Sequence, residues 1–218
     1  MSMIVDLTYP LNPDMVVWPG GPRPVYEWLE RVNTGAANVT YMRMCVHTGT
    51  HVDSPLHFID GGKTIDRLPL ECFWGKARMF TIEDSMEGRE IPRSTVEKTG
   101  FGLYDAKIFI LRTKIERYAE KRQYNLGYAY PSVDLLEWLL EQGMSCYMTD
   151  ATSIDPYDDK ESVRHHCILG RGCPVVENLR NLEFLPTPAD KAFVVSAMPL
   201  ALPGREGSPC RAAAWLED

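Results

Sequence analysis

The sequence predicts an α/β fold in a single compact domain, and three observations support this. The chain has 218 residues, of which 44% are hydrophobic, enough to bury one substantial core. Short apolar segments of strand type recur along its length. One clear amphipathic helix leads directly into a strand, an order typical of α/β sheets. We find neither an internal repeat nor a linker, so we expect residues 1–218 to form one domain.

The predicted strands are short apolar segments bounded by turn residues. Residues 26–34 fit either a strand or a short helix, and the loop from Pro10 to Pro24 holds too many prolines and glycines for regular structure. The strands are expected at residues 3–7, 38–46, 77–82, 107–112, 145–149, 174–178, 192–198 and 210–216.

The clearest predicted helix begins after Ser132 and ends at Gly143. Ser132 suits the N-cap, Asp134 lies in the first turn, and four leucines form an apolar stripe. Shorter helical segments are expected near Ser94, over residues 163–169 and, interrupted by Pro69, over residues 65–74.

Composition and charge exclude several classes of protein. The net charge is −7 and no basic block is present, so nucleic acid is not expected as a partner. No apolar run approaches the ~20 residues of a membrane span. The amino-terminal residues lack the pattern of a signal peptide, and the six cysteines are scattered without a C-x-x-C pair. We therefore expect a soluble, cytoplasmic protein with reduced cysteines and no membrane partner.

The strongest functional signal is the stretch HTGTHVDSPLHF at residues 47–58. Three of the five histidines, His47, His51 and His57, lie here within eleven residues, together with Asp53. Imidazole is the commonest metal ligand, and an interleaved carboxylate favours a divalent ion. A single histidine is more often a buried structural side chain, but this clustering predicts a metal site.

The local sequence opposes a helix of the H-E-x-x-H type, because Gly49 and Pro55 interrupt it. We expect instead that the strand of residues 38–46 continues, with His47, His51 and Asp53 on one face at its tip.

Two downstream residues are predicted to complete the site. His165 lies on the short helix of residues 163–169, and Glu177 ends an apolar strand, where a carboxylate is costly unless it is paired or bound to metal. The spacing alone does not say which of these residues bind metal. A histidine close to an ion but outside its shell can instead move protons.

These motifs resemble the metal-dependent cyclase/hydrolase family that includes bacterial kynurenine formamidase (arylformamidase) and isatin hydrolase. The family hallmark H-x-G-T-H-x-D-x-P-x-H-F is matched by residues 47–58 at every specified position. Further matches are Asp6-Leu-Thr-x-Pro-Leu, Trp18-Pro-Gly, Asp150-x-x-Ser-x-Asp155, His165 with Leu169-Gly170, Val176-Glu-Asn-Leu, and Gly207-Ser-Pro-x-Arg211.

The resemblance implies a compact α/β fold with a mixed sheet or barrel-like β core flanked by helices, assembled as homodimers or homotetramers. It implies that His57 is the catalytic histidine and that one or two divalent ions bind, usually zinc and in some relatives manganese. The metal ligands implied in this way are His47, His51, Asp53, His165 and Glu177.

The expected activity is hydrolysis of an amide C–N bond in a small substrate, foremost N-formylkynurenine to kynurenine and formate. A metal ion would activate the attacking water, His57 would shuttle the proton, and Trp18 would pack against the aryl ring. Trp18 is equally suited to cap the core or a subunit contact.

The alternatives are hydrolysis of a cyclic amide such as isatin, hydrolysis of a lactone, and a metal-holding protein without turnover. A nucleophilic Cys45 is disfavoured, because no nucleophile turn surrounds it.

The sequence departs from the family pattern at two places. Gly21 stands where many members have Asp, and Lys114-Ile115 replaces a common Gly-Trp. Both changes leave the predicted metal ligands intact, so they bear on the substrate pocket and not on the metal.

Overall fold

Seven strands close into a mixed β-barrel in the computed structural model, which describes residues 3–115, 127–186 and 191–216. The helices are α1 (Arg93–Glu97), α2 (Val133–Glu141) and α3 (Val163–Leu169). The strands are β1 (Met3–Asp6), β2 (Val25–Glu30), β3 (Val39–Arg43), β4 (His51–Asp53), β5 (Trp74–Thr81), β6 (Glu90–Ile91), β7 (Ile108–Arg112), β8 (Tyr130–Pro131), β9 (Cys146–Thr149), β10 (Val175–Glu177), β11 (Phe193–Pro199) and β12 (Gly207–Leu216).

The barrel follows the order β12-β11-β5-β7-β9-β10-β4 and returns to β12. Strands β5, β7, β9 and β10 run parallel to one another, and the remaining pairings are antiparallel. The ten-residue strand β12 closes the ring, because its start at Gly207–Pro209 pairs with β4 and the following residues pair with β11. Strand β1 adds to β12 outside the ring.

Side chains alternate between two apolar clusters along the barrel strands, as the pleat of a strand requires. In β7, Ile108 and Ile110 belong to the first cluster, whereas Phe109 and Leu111 belong to the second. The first cluster takes residues from all seven barrel strands and therefore fills the interior. The second contains the buried leucines of α2, so it joins the helices to the outside of the barrel.

Most predicted elements are confirmed, including the Ser132 cap, which accepts a hydrogen bond from the Leu135 amide. Residues 25–30 form a strand, so the segment predicted as either a strand or a short helix is a strand there. Residues 65–73 form two short 3-10 turns on either side of Pro69, as the broken pattern indicated. None of the six cysteines, all of which lie in the described residues, forms a disulfide in this structure.

One strand prediction is wrong. Strand β3 ends at Arg43 and pairs with β2 in a separate two-stranded hairpin, and it does not continue to His51. The chain turns at residues 45–49, where the Thr48 amide bonds to the Cys45 carbonyl and Gly49 takes a φ of 66°. His51–Asp53 is therefore an independent, fully buried strand of the barrel.

The family departure at Lys114 lies at a position with left-handed backbone. Lys114 has a φ of 61°, a conformation that favours glycine. The buried Asp150 carboxylate holds this turn by accepting the amides of Thr113 at 2.7 Å and Ile115 at 3.3 Å. Lys114 Nζ also pairs with Asp84 Oδ1 at 2.7 Å. The lysine thus keeps the backbone shape expected of the glycine it replaces.

None of the helices within residues 3–115, 127–186 and 191–216 combines the length and the apolarity that a membrane crossing requires.

Candidate metal centre and its cavity

Strand register brings two of the predicted ligands together. Strand β4 lies between β10 and β12, and its pairing with β10 places His51 opposite Glu177. Directly opposed side chains in an antiparallel pair have Cβ atoms about 4.5–5.5 Å apart. Asp53 lies two residues beyond His51 and shares its face of the strand. Pairing between the backbones of β4 and β10 therefore brings His51, Asp53 and Glu177 together.

His165 reaches the same point from helix α3. Its Nε2 atom lies 3.4 Å from Glu177 Oε1 and 3.6 Å from Asp53 Oδ2. On the other side, His51 Nε2 lies 3.3 Å from Asp53 Oδ1 and 3.6 Å from Glu177 Oε2. Each imidazole thus faces both carboxylates, and all four residues are buried.

The spacing of these atoms fits a divalent ion. Tetrahedral bonds of about 2.0–2.2 Å from nitrogen and oxygen donors put neighbouring donors about 3.3–3.6 Å apart. Each imidazole Nε2 lies at such a separation, 3.3 to 3.6 Å, from one oxygen of either carboxylate. The two histidines face different oxygens, and the donor atoms that all lie within 4.8 Å of one another are those of His51, Asp53 and Glu177, without His165. The buried His165 Nε2 also has no hydrogen-bond partner in the protein. Imidazole and carboxylate donors suit both zinc and manganese.

The opposite side of each donor group is fixed by a hydrogen bond. His51 Nδ1 lies 2.8 Å from the Gly49 carbonyl, and His165 Nδ1 lies 2.6 Å from Asp155 Oδ2. Glu177 Oε1 accepts the Ile154 amide at 3.0 Å. Such outer partners orient ligands towards a metal, and they leave the two Nε2 atoms facing the carboxylates.

His47 and His57 form a second group that shares Asp53 with the first. His47 Nδ1 lies 2.7 Å from Asp53 Oδ1, and the His47 ring stacks on His57 with centroids 4.0 Å apart. Donor atoms of His47, Asp53 and His57 lie within 4.8 Å of one another. This geometry has room for a second ion beside the first. It also places His57 where it can either move a proton or bind metal.

The electrostatics of the site concentrate positive charge near the carboxylates. Burial opposes protonation of His51, but Asp53 and Glu177 outweigh it and raise its pKa to about 9. Burial likewise opposes protonation of His165, but the hydrogen bond to Asp155 and the nearby carboxylates of Asp53 and Glu177 raise its pKa well above the usual value. A cation is therefore stabilised at this point.

His57 has the opposite behaviour. Burial lowers its pKa to about 4; Asp53 opposes this change, and the neighbouring His47, His165 and His51 add to it. Its imidazole is therefore neutral near pH 7.

His166 differs from its neighbour. Its side chain is exposed, and its ring contacts Phe58 edge-on with centroids 5.8 Å apart. His165, by contrast, is buried with its Nε2 atom 3.4 Å from Glu177 Oε1.

A cavity of ≈ 390 Å³ opens onto the donor groups, a size within the usual range for small-molecule sites. Trp18 lies in its wall, 42% exposed, with its ring 5.4 Å from that of Tyr157. Gly21 also lines the cavity, and a Cβ there would lie 3.0 Å from the Trp18 carbonyl. The departure at Gly21 thus changes the cavity wall, whereas Lys114 and Ile115 are not among the cavity-lining residues.

Sequence reasoning missed residues that support the site. The sequence identifies Asp155 only as a motif position, although it follows the predicted strand of residues 145–149, and sites in α/β sheets usually lie beyond the carboxyl ends of strands. Glu206 was not singled out, yet its Oε1 lies 3.6 Å from His47 Nε2. Gly207 leaves space for the His47 ring, because a Cβ at residue 207 would lie 2.7 Å from His47 Cε1. No sequence signal distinguishes Glu206 from the other acids of the chain.

Comparison with known proteins identifies the family of the chain. A model of the family described as "Putative cyclase" matches residues 5–156. Kynurenine formamidase of Bacillus mycoides (strain KBAB4) is 32% identical over 213 residues, which cover 97% of this chain and 96% of that protein. The chain belongs to the cyclase family. The kynurenine formamidase of Bacillus anthracis is likewise 32% identical, over 97% of this chain and 96% of its own length.

Solved structures of other proteins share the fold of this chain. Isatin hydrolase A from Labrenzia aggregata, bound to benzyl benzoate, superposes with a TM-score of 0.85 and 24% identity, covering 100% of this chain and 94% of that one. A protein described as a potential metal-dependent hydrolase with cyclase activity gives a TM-score of 0.83 at 22% identity, with both chains fully covered. The closed barrel of this chain is therefore the architecture of those proteins.

We expect Gly207→Ala to disturb the site, because the added methyl would meet both His47 and the Val52 carbonyl, the latter at 2.9 Å. Overpacking of this kind lowers the free energy of unfolding by about 1–3 kcal/mol, measurable by urea denaturation. Gly102→Ala is the matched control, since its Cβ would make ordinary contacts at 3.4 Å. Equal stability of the two variants would show that the close approach of His47 to Gly207 is not a constraint.

Proposed function

We propose that the chain is a metal-dependent hydrolase that cleaves an amide C–N bond of a small substrate, foremost N-formylkynurenine to kynurenine and formate. The observation that carries the proposal is the convergence of His51, Asp53, His165 and Glu177, with donor separations of 3.3 to 3.6 Å beside a cavity. The choice of substrate is supported by the kynurenine formamidases, which match over nearly the whole chain.

We propose zinc as the metal ahead of manganese. His51, His165, Asp53 and Glu177 would hold one ion, and His47 with the shared Asp53 would hold part of a second. Three imidazoles in the set favour zinc, which imidazole binds well. A divalent ion in this position supplies Lewis acidity, which lowers the pKa of water and polarises a carbonyl.

His57 is the proposed proton carrier. The His57 ring is neutral near pH 7. One of its nitrogens takes a proton from the attacking water as the water oxygen bonds to the formyl carbon. The same nitrogen then gives that proton to the amine nitrogen as the C–N bond breaks, so that an aryl amine and formic acid leave, and the acid releases its remaining proton to solvent as formate. Positioned acid–base catalysis of this kind contributes about 10²–10⁴-fold in rate.

Trp18 is the proposed contact for the aryl ring of the substrate. Its indole lies in the cavity wall and is supported by Tyr157. Offset and tilted aromatic pairs add about 0.5–1.5 kcal/mol beyond the area they bury. Gly21 leaves space next to Trp18, which bears on the size of the substrate that fits.

His57→Ala should keep the metal content of the wild type and lose about 10²–10⁴-fold in kcat, because the proton carrier is removed and the ligands remain. Elemental analysis and steady-state kinetics measure the two effects. His166→Ala should change neither quantity, whereas Asp53→Ala should lose metal and activity together, since Asp53 belongs to both donor groups. A loss of bound metal in His57→Ala would make His57 a ligand and refute its role as a shuttle.

The metal-loaded protein should hydrolyse N-formylkynurenine with a kcat/KM of at least ~10⁴ M⁻¹s⁻¹, and chelation should abolish turnover. Trp18→Ala should lower kcat/KM for this aryl substrate more than for an aliphatic formamide, because only the aryl ring contacts the indole. Isatin and a small lactone are the competing substrates. Faster turnover of either would replace formylkynurenine as the substrate, and absence of all turnover would favour a metal-holding binding protein.

We also propose that the chain forms a homodimer or homotetramer through the β2–β3 hairpin. Trp28 and Leu29 are 52% and 66% exposed there, and an isolated hairpin is at best marginally stable in water. A Trp28→Ser, Leu29→Ser double variant should reduce the molar mass measured by light scattering. Leu70→Ser, which alters an exposed leucine outside the hairpin, is the control. A monomeric wild type, or an unchanged mass in the double variant, would contradict this interface.

A further inference from the structure

We propose that Asp155 is a positioning residue that fixes which ring nitrogen His165 presents to the metal centre. The side chains of both residues are 5% exposed, and Asp155 Oδ2 lies 2.6 Å from His165 Nδ1. The consequence for metal binding rests on the proposed function, whereas the orientation of the ring does not.

The hydrogen bond determines the tautomer. An ionised carboxylate only accepts hydrogen bonds, so the proton between these two atoms must reside on Nδ1. A neutral imidazole that carries its proton on Nδ1 has its lone pair on Nε2. Nε2 is the atom that lies between Glu177 and Asp53 without a hydrogen-bond partner. Asp155 therefore directs the lone pair of His165 to the place where a metal ligand is needed.

Asp155 also fixes the helix that carries His165. Ser162 precedes α3 with a φ of 49° and makes no side-chain cap bond. Asp155 takes over this role, since Oδ1 accepts the Arg164 amide at 2.9 Å and Oδ2 accepts the His165 amide at 3.2 Å. Both the backbone and the ring of His165 are thus held by one carboxylate.

The segment around Asp155 is itself anchored. The Asp155 amide bonds to Ser153 Oγ at 3.3 Å, and the Tyr128 hydroxyl donates to the Asp155 carbonyl at 2.7 Å. Arg164 Nη1 lies 3.6 Å from Asp155 Oδ1 and favours the ionised carboxylate. Because Ile154, the preceding residue, bonds to Glu177, this short segment orients two proposed ligands at once.

The rival explanation is that Asp155 only caps α3, and Asp159 supplies a matched control for it. Asp159 Oδ1 accepts the amides of Glu161 and Ser162 just before the helix, and Oδ2 contacts Arg164. Asp159→Ala thus weakens the start of the same helix without removing a contact to the His165 ring. A purely structural role predicts similar effects for Asp155→Ala and Asp159→Ala.

Two measurements on the full chain test the proposal. The first is ¹⁵N NMR of the chelator-treated wild type at alkaline pH, where the ring is neutral, with His165→Gln used to assign the signal. We expect the proton on Nδ1, and a proton on Nε2 would overturn the proposal. This result depends neither on activity nor on metal binding, and it needs no variant of Asp155.

The second measurement is zinc affinity by competition with a chelator. Asp155→Ala should weaken zinc binding about 10–100-fold, whereas Asp159→Ala should bind zinc as the wild type does even if it melts at a lower temperature. Equal zinc affinity in Asp155→Ala and the wild type, or an equal loss in both variants, would overturn the positioning role. A wild type that binds no zinc or manganese, but shows the Nδ1 proton, would refute the proposed function and leave the tautomer assignment standing.

Discussion

Burying a carboxylate in a protein interior costs several kcal/mol unless positive charge or hydrogen bonds compensate, and this chain buries Asp53 and Glu177 side by side in its barrel wall. The surrounding residues meet that requirement. His51 and His165 each face both carboxylates, and the Ile154 amide bonds to Glu177. The two histidines and the Ile154 amide thus offset part of the cost of burying the two carboxylates.

Closure of the barrel and assembly of the site depend on the same backbone pairing. The three residues of β4 bond to β10 on one side and to β12 on the other, and two of them are proposed ligands. A shift of one residue in this register would turn His51 and Asp53 to the other face of the sheet. The geometry of the centre is thus as well defined as the strand order of the barrel.

Much of this arrangement could be predicted from the sequence, because the relevant signals are local. Each signal is a pattern of residues that are close together in the sequence. They are the histidine cluster at residues 47–58, the position of Glu177 at the end of an apolar strand, and the capped helix after Ser132. The independence of β4 could not be predicted, since Gly49 gives only a weak indication of a turn and the partners of β4 are distant in sequence.

Glu206 could not be predicted for the same reason. The contact of Glu206 with His47 crosses most of the chain, and its distance follows from β4–β12 pairing and from no local pattern. Asp155 is close to His165 in sequence, but its role depends on Ser162 leaving the helix start without a side-chain cap.

The place of β4 between β10 and β12 also has a consequence for the synthesis of the protein. The motif at residues 47–58 leaves the ribosome well before its strand partners at residues 175–177 and 207–209, because more than a hundred residues separate them. Pairings between such distant segments form late, because a long loop must close before the contacts stabilise it. The nascent chain therefore carries its histidine cluster without the barrel wall that shapes it until residues 175–177 and 207–209 have been made. The wall can enclose these residues only after β12 has left the ribosome.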